Sequence, residues 1–116
     1  MKPSLIVFSL LAGMGLLVAA VAFRAEEKPD GAAIFKERCA MCHNADGTGM
    51  SAIKTPDFTD PKWQESITDK EIVETIKNGK KGKPMPPFAD KLKEEEIQAL
   101  VLQIRSFNSK KNDEKK

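Results

Sequence analysis

The chain of 116 residues contains no tyrosine, a single tryptophan, a single histidine and only two cysteines. A structural zinc site needs about four ligands, so Cys and His alone cannot build one here and carboxylates would have to complete it. A framework of several disulfides is excluded by the same shortage. A large excess of charge is missing too: the formal net charge is +2, too small to mark a nucleic-acid-binding surface. Beyond Phe23 there is no long apolar run, although hydrophobic residues make up 41% of the chain. The body from Arg24 onward is therefore polar with a thin core, and domains this small are often marginal without a covalent or metal staple. The length allows one domain behind any targeting segment.

What the sequence does have is concentrated in one place. Both cysteines and the histidine fall in the run Cys39-Ala40-Met41-Cys42-His43. Cys-x-x-Cys-His is the attachment signal for a c-type haem: two thiols add across the porphyrin vinyl groups, and the adjacent imidazole takes one axial position on the iron. Residues three and four apart on a helical turn share a face, so Cys39, Cys42 and His43 can address one side of a flat macrocycle. A thioredoxin-type dithiol would sit beside a βαβ pattern, and no strand-like alternation precedes Cys39. The same context weighs against a plain structural disulfide.

The N-terminus offers an export signal. Lys2 precedes a nearly unbroken apolar run from Leu5 to Phe23. Ala20-Val21-Ala22 fits a small-residue cleavage site. The run nevertheless exceeds a typical signal core of roughly 7 to 15 residues and approaches the roughly 20 needed to span a bilayer. Residues 1–23 thus read as a signal peptide or a membrane anchor, and with Lys2 held inside, the domain faces the periplasm in either case. No cysteine near this segment offers a lipid attachment point. Residues 24–30, with Pro29, read as a linker ending at an N-cap, Asp30.

Three helical stretches are expected. The first runs from Gly31 to the attachment motif, with Ile34 and Phe35 turned inward. The second spans Asp69 to Lys77, opened by a Thr68/Glu71 capping box, carrying Ile72, Val73 and Ile76 at helical spacing, and closed by Asn78-Gly79. The third spans about Lys93 to Phe107, with Ile97, Leu100, Val101, Ile104 and Phe107 in recurrence, and should cross the first. Asn44 to Gly49 reads as a loop. Met50 to Trp63 reads as irregular, broken by Pro56 and Pro61 and anchored by Ile53, Phe58 and Trp63. The indole N–H of Trp63 calls for a partner, either a core acceptor or a haem propionate. Residues 108–116 form a polar, charged tail expected to be disordered.

A haem held by His43 still needs a sixth ligand, and a soft thioether suits iron. Met1 and Met14 lie in the export segment, and Met41 sits inside the attachment turn. Met50 follows His43 too closely to wrap to the opposite face. Met85, on a rigid loop among Pro84, Pro86 and Pro87, remains.

With these features the chain resembles a class I c-type cytochrome, from about Gly31 to Phe107. The resemblance rests on Gly31 and Phe35, the Cys39 to His43 run, Pro56, Trp63, Met85-Pro86 and the closing helix. It implies an all-α domain at residues 31–107, three or more helices around one haem c, and one-electron transfer. It makes Cys39 and Cys42 the thioether sites, with His43 and Met85 the axial ligands, and it gives Pro56 a carbonyl that orients the imidazole. Thr55 departs from the pattern, since a glycine often precedes that proline, as do Leu100 and Val101, where an aromatic is frequent. The function implied is that of an electron carrier, not an enzyme, moving electrons between a redox protein donor and acceptor. Lys80, Lys81 and Lys83 are suited to acidic partner surfaces. The alternative is a membrane-anchored subunit of a respiratory oxidase or dehydrogenase complex. A haem sensor or peroxidase-like enzyme would require Met85 to dissociate.

Overall fold

The computed structural model describes residues 27–113, with side chains as far as Asn108. Five α-helices follow in order: α1 Gly31–Arg38, α2 Ala40–His43, α3 Pro61–Ser66, α4 Asp69–Asn78 and α5 Glu94–Asp113, with a 3-10 turn at Ser51–Ile53. No strand occurs among the described residues, in keeping with the all-α expectation. The export or anchor segment, and the first part of the linker, lie outside the described residues.

Local chemistry explains where these helices begin. Asp30 caps α1, its carboxylate accepting from the amides of Ala32 at 3.0 Å and Ala33 at 3.2 Å. The capping box expected for α4 is formed: Glu71 N–H donates to Thr68 Oγ1 at 3.2 Å, and Thr68 N–H donates to Glu71 Oε2 at 2.8 Å. Each box satisfies two otherwise orphaned backbone donors. At α5 the N–H of Lys93 donates to Glu96 Oε2 at 2.7 Å.

Two elements differ from the sequence expectation. Pro61 does not break the chain; it opens α3, with Asp60 as N-cap accepting from Lys62 N–H at 3.0 Å. Proline is suited to the first helical position because the N–H it lacks would be unpaired there anyway. The closing helix does not stop at Phe107 and continues to Asp113, since neither proline nor glycine interrupts Asn108 to Asp113. Residues 114–116 of the tail lie outside the described residues.

α1 crosses α5 at close range, and Gly31 is the reason. A Cβ on Gly31 would come within 2.2 Å of the Ala99 carbonyl oxygen, so only a bare Cα fits the crossing. The buried core consists of Phe35, Phe58, Ile72, Ile76, Leu92, Ile97, Leu100, Val101, Ile104 and Phe107. It takes one residue from α1, one from the loop before α3, two from α4, one (Leu92) from the segment before α5 and five from α5. Leu100 is only 1% exposed. The core packs one side of a cavity and leaves the other side to loops.

Candidate functional site

The sequence run Cys39 to His43 folds as expected for a helical turn. His43 N–H donates to the Cys39 carbonyl at 2.9 Å, which brings the two ends of the motif onto one face. The turn is held from outside by Thr55, whose hydroxyl donates to the Cys42 carbonyl at 2.9 Å and accepts from the Met50 N–H. Thr55 looked from sequence like a mere departure from the glycine pattern. Its hydroxyl ties the loop leading to Pro56 onto the attachment turn.

The loop that carries Met85 closes on itself and is fastened to α4 at its far end. Lys80 N–H donates to the Met85 carbonyl at 3.1 Å, Phe88 N–H to the Ile76 carbonyl at 2.9 Å, and Ala89 N–H to the Lys77 carbonyl at 3.2 Å. The last two satisfy carbonyls that the end of α4 leaves open. Gly79 makes the approach possible: its φ is +68° and its ψ is −171°, and a Cβ there would lie 2.6 Å from the Met85 carbonyl oxygen.

Cys39, Cys42, His43, Pro56, Trp63 and Met85, all singled out from sequence, line a single cavity. Its volume is about 180 Å³, and its mouth opens to solvent. Ile53, Ile67, Ile72 and Phe88 furnish apolar walls. Arg38, Lys54, Lys80 and Lys83 also border it, all four exposed, and no acidic side chain does. Among the described residues no cluster of His, Cys, Asp and Glu forms a further metal site.

The electrostatics suit a macrocycle more than a reactive dithiol. Burial, reinforced by the neighbouring Cys42, pushes the Cys39 thiol up to about 11. A thiol held protonated is a poor nucleophile, and the two cysteines are not joined to each other. Burial also lowers the His43 imidazole below its ordinary value, keeping it neutral with a lone pair to offer a metal. His43 Nδ1 is buried and has no hydrogen-bond partner. The Pro56 oxygen lies close to Gly49, where a Cβ would approach it to 2.5 Å.

Sequence reasoning also missed Gln64 and Arg105. Gln64 is 6% exposed, and its Nε2 donates to the carbonyls of Phe58 at 2.7 Å and Ile104 at 2.9 Å. Arg105 donates to Gln64 Oε1 at 2.9 Å, to the Gln64 and Ile67 carbonyls, each at 2.7 Å, and to Asp69 at 2.7 Å. Together they lock α3 to α5 beneath the cavity. The nearest sequence signal is an arginine on the otherwise apolar face of α5, one residue after Ile104.

Residues 26–102 match the family model for cytochrome c oxidase, cbb3-type, subunit III. The chain belongs to this family. Among relatives in the cbb3-type subunit III group, it is 32% identical over 81 residues to the cbb3-type cytochrome c oxidase subunit FixP of Bradyrhizobium sp., covering 70% of this chain and 28% of that protein. To the subunit CcoP of Cereibacter sphaeroides it is 32% identical over 78 residues, covering 67% of this chain and 27% of that one. The chain thus spans under a third of the length of these relatives. A solved structure, the KustC0563 c-type cytochrome, is similar with a TM-score of 0.63 and 34% identity, over 67% of this chain and 96% of that one. The cytochrome c-like fold and a covalently held haem c follow for the family member described here. No helix among the described residues is long and apolar enough to cross a membrane.

Proposed function

We propose that this chain carries single electrons through one haem c as a membrane-anchored cytochrome subunit of a cbb3-type oxidase assembly. The observation that carries the proposal is the convergence of Cys39, Cys42, His43 and Met85 on one largely apolar cavity. The names of the relatives favour the subunit over a freely diffusing carrier. In this reading Leu5 to Phe23 is retained in the inner membrane, and the cytochrome domain faces the periplasm.

When bound, the haem supplies a one-electron ferric/ferrous couple. The protein's part is to hold and tune it. Cys39 and Cys42 would hold the porphyrin covalently, and the neutral imidazole of His43 and the thioether of Met85 would hold the iron. With both groups engaged, the domain would relay electrons without turning over a substrate of its own. The apolar walls disfavour extra charge and so favour the reduced state, raising the potential. Trp63 borders the cavity, where its N–H is available to a propionate. Arg38, Lys54, Lys80 and Lys83 border the mouth with no acidic neighbour in the lining, which suits an acidic patch on a redox protein partner.

Two measurements test this. Mass spectrometry of protein from membranes separates retention of residues 5–23 from cleavage after Ala22. Co-purification with oxidase activity supports the subunit reading, and a fully soluble mature form overturns it in favour of the free carrier. The 96% coverage of the KustC0563 cytochrome is the observation that keeps the carrier as a second reading.

A further inference from the structure

We infer that Gln64 and Arg105 act as one positioning pair that holds a whole wall of the cavity in place and, through that wall, keeps the midpoint potential high. The inference rests on the reading that this cavity holds haem. Neither side chain lines the cavity, yet their hydrogen bonds end on the backbone of the residues that do. Gln64 Nε2 donates to the carbonyls of Phe58 at 2.7 Å and Ile104 at 2.9 Å. Arg105 donates to the carbonyls of Gln64 and Ile67, each at 2.7 Å. Phe58, Ile67 and Ile104 are lining residues, and Gln64 directly follows a fourth, Trp63. The Phe58 ring continues the wall, packing on Trp63 at 4.7 Å and on His43 at 4.8 Å.

The two side chains are joined to each other, Arg105 donating to Gln64 Oε1 at 2.9 Å. That bond fixes the amide, which cannot flip without losing all three of its partners. Arg105 also donates to the Asp69 carboxylate at 2.7 Å, so the loop before α3, α3 itself, the start of α4 and α5 share one polar junction. The wall needs it because α3 has six residues and Gln64 is its one buried side chain. A helix so short does not hold itself, and this one puts no residue into the buried apolar core. Position here comes from hydrogen bonds, and a network of this kind is rigid only while every member is satisfied. Once broken, it leaves buried carbonyls that must find water, directly behind an apolar wall. The apolar shell around a redox centre controls solvent access and with it the potential, and a wetter wall favours the more highly charged ferric state.

The test uses holoprotein made with haem maturation machinery and two substitutions that leave the net charge unchanged. Gln64→Leu removes the amide. Arg105→Lys keeps the charge but lacks the planar fork that serves four acceptors. A redox titration reads the midpoint potential, and because Trp63 is the only tryptophan of the chain, tryptophan fluorescence reads the wall itself. Leu100→Ala, in the buried core and outside the cavity lining, is the stability control. The expected result is a lowered potential and raised Trp63 fluorescence in both Q64L and R105K. The double variant should shift no further than the larger of the two single ones, since members of one network are not additive. L100A should lose stability while keeping the wild-type potential and fluorescence. An unchanged potential in Q64L and R105K, or the same shift in L100A, overturns the inference, and additive shifts in the double variant overturn the pairing. If Q64L fails to accumulate as holoprotein, R105K against L100A decides on the same readouts. Wild-type protein with covalent haem and His/Met spectra keeps the haem reading intact even when the positioning inference fails.

Discussion

Gly79→Ala, set against Gly82→Ala, isolates how the ligand loop is held. Both glycines have positive φ, +68° and +75°, so both pay for a side chain in backbone strain. Their surroundings differ. A Cβ at Gly79 meets the Met85 carbonyl oxygen at 2.6 Å, the Pro86 carbonyl carbon at 2.8 Å and the Pro87 nitrogen at 2.8 Å, whereas at Gly82 nothing lies within 4 Å. With ψ at −171°, Gly79 sits in a region open essentially to glycine alone, where another residue costs about 1–3 kcal/mol. Overpacking against backbone adds roughly 1–3 kcal/mol, giving a total of about 2–6 kcal/mol that is relieved by pushing the loop outward. Gly82→Ala carries the conformational cost alone, roughly 1–2 kcal/mol. The assay is urea denaturation of each holoprotein together with the weak near-infrared band of methionine-to-iron ligation. G79A should lose several-fold more stability than G82A and weaken or lose the band, while G82A keeps it. Equal losses in the two variants, or an intact band in G79A at unchanged stability, would refute the reasoning.

Met85→Ala should abolish the near-infrared band and lower the midpoint potential while leaving covalent haem in place, checked by redox titration and intact mass. Thr55→Val removes the hydroxyl that pairs with the Cys42 carbonyl and the Met50 N–H, at a cost of about 1–2 kcal/mol in denaturant unfolding. Arg105→Met strips three backbone and side-chain acceptors around Gln64 and Ile67 and should cost roughly 3 kcal/mol, because hydrogen bonds from a charged donor contribute about 1.5–3 kcal/mol each and the partly buried acceptors lose theirs. Acid titration of folding supplies the pH test. Hydrogen bonds from the Thr68 backbone and side chain hold the Glu71 carboxyl below its ordinary value, and bonds from Lys77 and Gln98 do the same for Glu94. A depressed carboxylate stabilises the fold above its unfolded value, near 4.5 for both, and that contribution is lost as pH falls through the lower folded value. Glu71→Gln should therefore flatten the acid limb of the stability curve, and an identical limb would contradict the capping-box assignment.

The parts of the fold legible in sequence were those governed by short-range rules. Thr68 and Glu71 announced α4, because a capping box needs only residues three apart. Ile97 to Phe107 announced α5 through helical recurrence. Cys39, Cys42, His43 and Met85 could be singled out because so few residues could do the chemistry, and all four line one cavity. Position in space was not legible. Phe58 read as one apolar anchor among several, and only folding brings its ring against His43. Gln64 looked like an ordinary polar residue, and its burial depends on Ile104 and Arg105, about forty positions away. Pro61 was misread as a breaker because proline stops a helix or starts one according to its position, and Asp60 decided that here. Pro56 read as a break in an irregular segment, and only folding sets it in the lining of the same cavity as His43.

The most direct test of the central claim is the reduced-minus-oxidised visible spectrum of protein exported with haem maturation machinery, read together with its intact mass. The expected result is one covalently bound haem per chain with the low-spin, six-coordinate spectrum of His/Met ligation in both redox states. A chain that emerges with free Cys39 and Cys42 thiols and no haem mass would contradict it outright.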